Sequence, residues 1–151
     1  MLSPELKLKY VEYLRESCKM FRQEYDNPNL EIDDFNIRLL REKKVIEILG
    51  SEDAGKKMFE EVGNHVRYFE SISPFKEAKS SKEFFELIGT LPELDREISA
   101  LFCIECIIGP GILTKRRVLL NYQKFSEESL ERFRKDMKDN EEKLAILFQY
   151  I

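Results

Sequence analysis

The sequence predicts an all-α protein that forms a single-domain bundle of about six or seven helices. Apolar residues recur at steps of three and four along most of the chain, which is the spacing of one helix face. Capping residues stand at the starts of several of these segments, and glycine or proline stands at their ends. The 151 residues contain no repeat and no long linker, so we expect one domain over residues 1–151.

The first half of the chain predicts three amphipathic helices. Ser3 and Ser51 are placed to cap the first and third helices, and Gly50 is placed to end the second. The apolar stripe of the first helix comprises Leu6, Tyr10, Leu14, Cys18, Phe21 and Tyr25. The apolar stripe of the second helix comprises Phe35, Leu39, Ile46 and Leu49. The apolar stripe of the third helix comprises Met58, Phe59, Val62, Val66, Phe69 and Ile72.

The second half begins with two further predicted helices. Ser80 is placed to cap a short helix, and Gly89 is placed to end it. Thr90 and Glu93 have the spacing of a capping box, in which the two side chains bond each other's backbone N–H groups. This box predicts the start of a longer helix, which we place at residues 90–108.

Residues 109–111 read Gly-Pro-Gly and predict a break after that helix. The β-branched and aromatic side chains of residues 112–122 suit a strand, although the neighbouring helices favour a helix. Ser126 is placed to cap the last helix, which has the clearest pattern in the chain. The sequence leaves the conformation of residues 112–122 open.

Composition and charge exclude several classes of protein. Charged residues make up 36% of the chain and apolar residues 42%, which is unlike a disordered or membrane-spanning chain. The N-terminal sequence lacks the apolar centre of a signal peptide, and the three cysteines then read as reduced thiols. We therefore expect a cytoplasmic protein. The abundance of lysine, arginine and glutamate is typical of the surface ion-pair networks of thermophilic proteins.

Cys103 and Cys106 form a C-x-x-C pair. Together with Cys18 and His65 they complete a Cys₃His set, which zinc accepts. However, the pair falls in the last two turns of a predicted helix, whereas structural zinc sites take such pairs from tight turns. A helix C-terminus also opposes formation of a reactive thiolate. We expect buried, reduced cysteines, with no metal and no other cofactor.

Glu105 is the only charged residue between Ala100 and Ile108. A carboxyl group in such apolar surroundings either pairs with a lysine or arginine or has a raised pKa suited to acid catalysis. The sequence therefore predicts either a paired core carboxylate or a catalytic pocket around Glu105. His65 is the only histidine and lies at the edge of its apolar stripe, where we expect a hydrogen-bonded boundary residue.

Residues 111–138 are locally basic, with eight Lys/Arg against four Asp/Glu in a chain of net charge −4. Clustered basic residues with interleaved aromatics can bind the phosphates of nucleic acids. The candidate phosphate contacts are Lys115, Arg116, Arg117 and Lys124. The alternative is an ordinary solvated helix face.

The last helix carries a heptad pattern, with apolar residues at alternating steps of three and four. The candidate interface residues are Leu130, Phe133, Met137, Asn140, Leu144, Leu147 and Ile151. A buried asparagine in such a seam can fix the register and number of chains. The seam predicts either a homodimer interface or packing within the chain's own bundle.

Three functions follow from these features. The favoured one is a small cytoplasmic interaction or assembly module that binds a protein partner or associates as a homodimer. The alternative is an accessory subunit of a nucleic-acid-processing complex, which contacts phosphates through the basic face at residues 115–138. The third is an enzyme with a pocket around Glu105. No membrane partner is expected.

Overall fold

The computed structural model describes residues 2–26, 34–113 and 125–151. All regular structure within these residues is helical, which confirms the predicted fold class. Their six α-helices are α1 (Pro4–Asp26), α2 (Asp34–Leu49), α3 (Glu52–Glu70), α4 (Ser81–Ile88), α5 (Glu93–Cys106) and α6 (Glu127–Leu147). The remaining helical turns in these ranges are the 3₁₀ turns Phe75–Glu77 and Phe148–Tyr150 and the π-helical segment Ile107–Leu113. No helix in this part of the chain is long and apolar enough to cross a membrane.

The predicted serine caps are confirmed. Each accepts a hydrogen bond from the backbone N–H three residues later, which satisfies one donor at the start of its helix. These residues are Ser3, Ser51, Ser80 and Ser126. Gly50 follows α2 with φ of 98°, in the left-handed region that ends helices and that glycine adopts without strain.

The capping box predicted at Thr90 and Glu93 is wrong. The Thr90 hydroxyl instead donates to the Leu87 carbonyl at 2.6 Å, so its side chain closes the end of α4. Helix α5 begins at Glu93, with Pro92 at its N-cap and no side-chain cap. The start of the helix is therefore set by proline, which has a fixed φ and no N–H to satisfy.

The break predicted at residues 109–111 is also wrong. The chain continues from α5 into the π-helical segment, which runs through Pro110. Proline in an α-helix lacks the N–H for the next backbone bond and clashes with the carbonyl four residues earlier. A wider π-helical turn accommodates this sequence without ending the helix. Residues 114–122 of the segment left open between helix and strand lie outside the described residues.

Helix α5 forms the centre of the bundle and packs against α1, α3, α4 and α6. Its residues Ile98, Leu101 and Ile104 are at most 2% exposed. The core extends to α6, where Leu144 and Leu147 are fully buried. Burial of these aliphatic side chains supplies most of the stabilisation of such a bundle.

The C-terminal turn closes the bundle against α4. The Tyr150 hydroxyl donates to the Glu86 carbonyl at 3.2 Å. Its ring lies so close to Gly89 that a Cβ there would be 2.7 Å from the tyrosine Cε1. Glycine at this position therefore allows the ring to approach the end of α4.

Helix α2 packs against α1 and α3, but two residues of its predicted apolar stripe face outwards. Leu39 is 37% and Ile46 is 53% exposed, whereas Leu49 is buried. The predicted inward face of α2 is therefore wrong at Leu39 and Ile46. The face that packs against the core instead carries Val45, Ile48 and Leu49, beside Arg41, which forms an ion pair with Glu105 on α5.

Candidate functional site

Glu105 is a buried carboxylate that joins three helices. It lies in the last turn of α5 and is 8% exposed. Ser17 on α1 donates a hydrogen bond to Glu105 Oε1 at 2.7 Å, and Arg41 Nη2 on α2 donates to the same oxygen at 3.1 Å. The Arg41 guanidinium also lies over the Phe21 ring, 3.9 Å from its centroid. Of the two outcomes predicted for Glu105, the structure has the paired core carboxylate.

The surroundings of Glu105 are poorly solvated. Burial raises the pKa of Glu105, and the hydrogen bonds and charge of Ser17 and Arg41 offset only part of this rise. Glu105 Oε2 and Arg41 Nε are buried without a hydrogen-bond partner among the described residues. Such a desolvated pair adds little stability compared with an apolar pair, but loss of one partner would leave a buried charge uncompensated.

His65 forms a second buried polar contact, between α3 and α5. Its Nε2 lies 2.9 Å from Asp95 Oδ1, and Lys7 Nζ from α1 lies 2.8 Å from the same oxygen. Burial alone would raise the pKa of Asp95, but the bonds from Lys7 and His65 lower it below its ordinary value. The histidine is hydrogen-bonded, as predicted, but at 3% exposure it lies in the core and not at its boundary.

The three cysteines are free thiols in or near the core. Burial raises the pKa of Cys103 to about 12, and burial likewise raises the pKa of Cys18 and Cys106 to about 11. Among the described residues, no group of three or more His, Cys, Asp or Glu side chains is arranged to hold a metal. The four residues of the Cys₃His set are therefore not brought together.

The heptad residues of the last helix differ in their surroundings. Leu144 and Leu147 are fully buried against the chain's own core, and Ile151 lies beyond the helix and is 45% exposed. The partly buried members are Leu130, Phe133, Met137 and Asn140. The C-terminal half of the seam is thus used within the chain, and its use as an interface between chains stays a prediction.

The candidate phosphate contacts fall outside the described residues. They are Lys115, Arg116, Arg117 and Lys124. The rest of the basic region lies in α6, where Arg132, Arg134, Lys135 and Lys138 are exposed. The described residues therefore include only the C-terminal part of the predicted basic face.

A groove of about 510 Å³ lies between α3 and α4 and reaches the central helix α5. Phe75, Phe84 and Phe85 line one side of it, and Phe102 and Cys103 form part of its floor. The Phe75 and Phe84 rings meet edge to face, with centroids 5.3 Å apart. The groove thus offers aromatic surface next to otherwise buried residues of α5, which is typical of a binding site for apolar groups.

Residues of α3 and of the 3₁₀ turn add charge to this groove. Arg67 and Lys76 carry positive charge and Glu70 carries negative charge, and all three are exposed. The groove therefore has a net positive charge of one in a chain of net charge −4. Sequence periodicity missed this site because its walls come from three separate helices. The adjacent Phe84 and Phe85 were the available signal, since two neighbouring aromatic side chains of a short helix are only partly buried by packing against the core.

The chain matches no protein-family model, curated protein or solved structure at a significant level. What the groove can bind therefore follows from its own side chains. Aromatic walls favour apolar side chains, and an exposed guanidinium and ammonium attract carboxylates. The groove is suited to a ligand that combines apolar anchors with acidic groups.

We expect Arg41→Met to lower the free energy of unfolding by about 2–4 kcal/mol at neutral pH, because it leaves a buried carboxylate without its cation. Because burial raises the pKa of Glu105 in the folded chain, the protonated form is favoured there. The free energy of unfolding of Arg41→Met then falls as pH rises from the ordinary carboxyl pKa through the raised pKa of Glu105. The destabilisation caused by Arg41→Met should therefore be smaller near about pH 5 than near about pH 8, as measured by denaturant unfolding.

The control is the double variant Glu105→Gln/Arg41→Met, which lacks the buried charge. It should be less pH-dependent than Arg41→Met over the same range. If Arg41→Met loses the same free energy at both pH values, the Glu105 carboxylate is not the group whose charge Arg41 compensates.

We expect the native thiols to react with iodoacetamide at least about tenfold more slowly than those of the unfolded chain, because their raised pKa leaves little thiolate. Cys106 should react before Cys103, since it is partly exposed and has the lower pKa of the two. Mass spectrometry of timed samples measures both rates, with chain unfolded in guanidinium as the control. Rapid labelling of the native chain, or one zinc per chain by elemental analysis, would contradict this assignment.

Proposed function

We propose that the chain is a helical interaction module that binds an amphipathic, acidic protein segment in the groove between α3 and α4. The observation that carries this proposal is the opening between these helices, through which Phe102 of the central helix is reached from solvent. Aromatic residues at such openings are frequent anchors of protein interfaces. The proposed setting is the cytoplasm, as expected from the sequence.

The length of the groove supports a helical segment as its occupant. Gly63, Arg67 and Glu70 follow one another along α3 at steps of four and three and line the groove. This wall is about 10 Å long, which matches two turns of a bound helix. A helix of that length presents apolar anchors at positions i, i+3 or i+4, and i+7.

Close approach of Phe102, in the floor of the groove, to α3 depends on Gly63. A Cβ at this position would lie 3.3 Å from the Phe102 Cζ, tighter than most such contacts. The Phe102 ring also packs against Phe59, with centroids 4.9 Å apart. This packing keeps the aromatic floor in place while leaving part of it accessible. The positive groups Arg67 and Lys76 then favour carboxylates next to the anchors.

The test uses two 14-residue helical peptides with leucine at three anchor positions and either glutamate or lysine at the exposed positions. We expect the acidic peptide to bind more tightly in fluorescence anisotropy, with a Kd on the order of micromolar. Ser81→Trp should weaken binding about tenfold or more, because Ser81 is exposed and lines the groove. The matched control is Gln23→Trp, an exposed polar residue on α1, which should bind as the parent does.

A charge-reversed variant tests whether Arg67 and Lys76 cause the preference for the acidic peptide. Arg67→Glu/Lys76→Glu should weaken binding of the acidic peptide and strengthen binding of the lysine peptide. If the parent binds both peptides equally, or if Ser81→Trp binds the acidic peptide as the parent does, the proposed occupant is wrong.

Nucleic-acid binding is the second candidate function. It is favoured by the exposed basic residues of α6, which include Arg132, Arg134 and Lys135. Any such binding would come from released counterions, so it should be weak, lack base specificity and fall steeply with salt. Titration of single- and double-stranded DNA and RNA at two salt concentrations, with parent and Lys115/Arg116/Arg117→Ala, measures it. Tight binding by the parent that the triple variant loses would favour this function over the interaction module.

A further inference from the structure

The outward face of α2 carries a concentration of exposed aliphatic side chains. Leu39 is 37% exposed, and Leu40 and Ile46 are each 53% exposed. These are three of the nine large hydrophobic residues exposed in the described part of the chain, and they lie within eight residues. Scattered exposed hydrophobic residues are ordinary, but clustered ones mark surfaces that bind.

The geometry of the helix places Leu39 and Ile46 on one face, with Lys43 between them and Leu40 about 100° away from Leu39. Successive residues turn by about 100°, so Leu39, Lys43 and Ile46 lie about 140–160° away from the inward-facing Arg41. They follow one another at steps of four and three, the spacing of a helix–helix seam. Glu42, Lys43 and Glu47 supply exposed charge on and beside this seam.

We propose that α2 is the interface through which a second copy of this chain packs in antiparallel orientation. A twofold axis between Glu42 and Lys43 brings Leu39 opposite Ile46 of the second copy, and Ile46 opposite its Leu39. The same axis brings Glu42 opposite Lys43 of the second copy, and the converse pair also forms. The order of charges along α2 is therefore complementary to itself in this register, as a twofold interface requires.

The opposite orientation lacks this complementarity. In a parallel, in-register pair, Glu42 would face Glu42 of the second copy and Lys43 would face its Lys43. Like charges placed opposite each other oppose association. The self-complementary order of charge thus selects a second copy, in antiparallel orientation, as the occupant of this face.

The size of the interface predicts a weak dimer. Stable dimers bury about 800 Å² on each partner, whereas the outward face of one 16-residue helix is smaller. Association should therefore depend on concentration, with a Kd of about 10–100 micromolar. This inference is independent of the groove between α3 and α4, and neither depends on the other.

Sedimentation velocity from about 5 to 500 micromolar tests the inference. We expect the average mass of the parent to rise from one chain towards two. Ile46→Glu should weaken association about tenfold or more, because it puts a carboxylate against Leu39 of the second copy. The matched control is Leu8→Glu, the same change at a 62% exposed leucine of α1, which should associate as the parent does. Circular dichroism and thermal unfolding confirm that both variants fold.

Charge reversal tests the register. Glu42→Lys alone and Lys43→Glu alone should each weaken self-association, because each places like charges opposite each other. Mixing the two variants should restore association, since each then meets the opposite charge. A parent that stays monomeric at every concentration overturns the proposal. So does a dimer that Ile46→Glu leaves unchanged, or a mixture that associates no better than its components.

Discussion

The ion pair between Glu105 and Arg41 ties α2 to the rest of the bundle. Glu105 is held by Ser17 from α1 and by Arg41 from α2, so one carboxylate connects three helices. Arg41 can reach it only if its side of α2 faces α5. The helix is then rotated so that Leu39 and Ile46 point outwards. The same rotation packs Val45, Ile48 and Leu49 against the core, so the buried charge and the apolar contacts of α2 favour one orientation.

Polar contacts also fix α5 against α1 along most of its length. Lys7 meets Asp95, Arg15 meets Glu97 and Ser17 meets Glu105, so residue numbers rise together along both helices. The aliphatic residues between these contacts could pack in several registers, because similar side chains repeat along each helix. Lys7–Asp95 and Ser17–Glu105 have the same sequence offset, so both are made in one parallel register, whereas the exposed Arg15–Glu97 pair contributes little. The two contacts of equal offset therefore select the arrangement that burial of the core stabilises.

The sequence predicted which segments are helical, since periodicity and serine caps are local signals. It also predicted the buried faces of α1 and α3, but not that of α2. The predicted stripe placed Leu39 in the core, whereas Val45, Ile48 and Leu49 pack there on the side of α2 from which Arg41 reaches Glu105. At Thr90 the side chain had two backbone groups within reach, and it bonds the end of α4 instead of the start of α5. The groove could not be predicted, because Phe84 and Phe102 come to line one groove only in the packed bundle.

The outward face of α2 and the Glu105 ion pair are two consequences of one orientation. An apolar pair in place of Glu105 and Arg41 would avoid the desolvation of a charge, and such replacements are often neutral or stabilising. It would leave the rotation of α2 in place, because Val45, Ile48 and Leu49 pack against the core on the side of the helix that carries Arg41. Turning Leu39 and Ile46 towards the core would expose these three side chains in exchange. The ion pair and the apolar contacts of α2 therefore favour the same rotation, which keeps Leu39 and Ile46 at the surface, where a second chain can meet them.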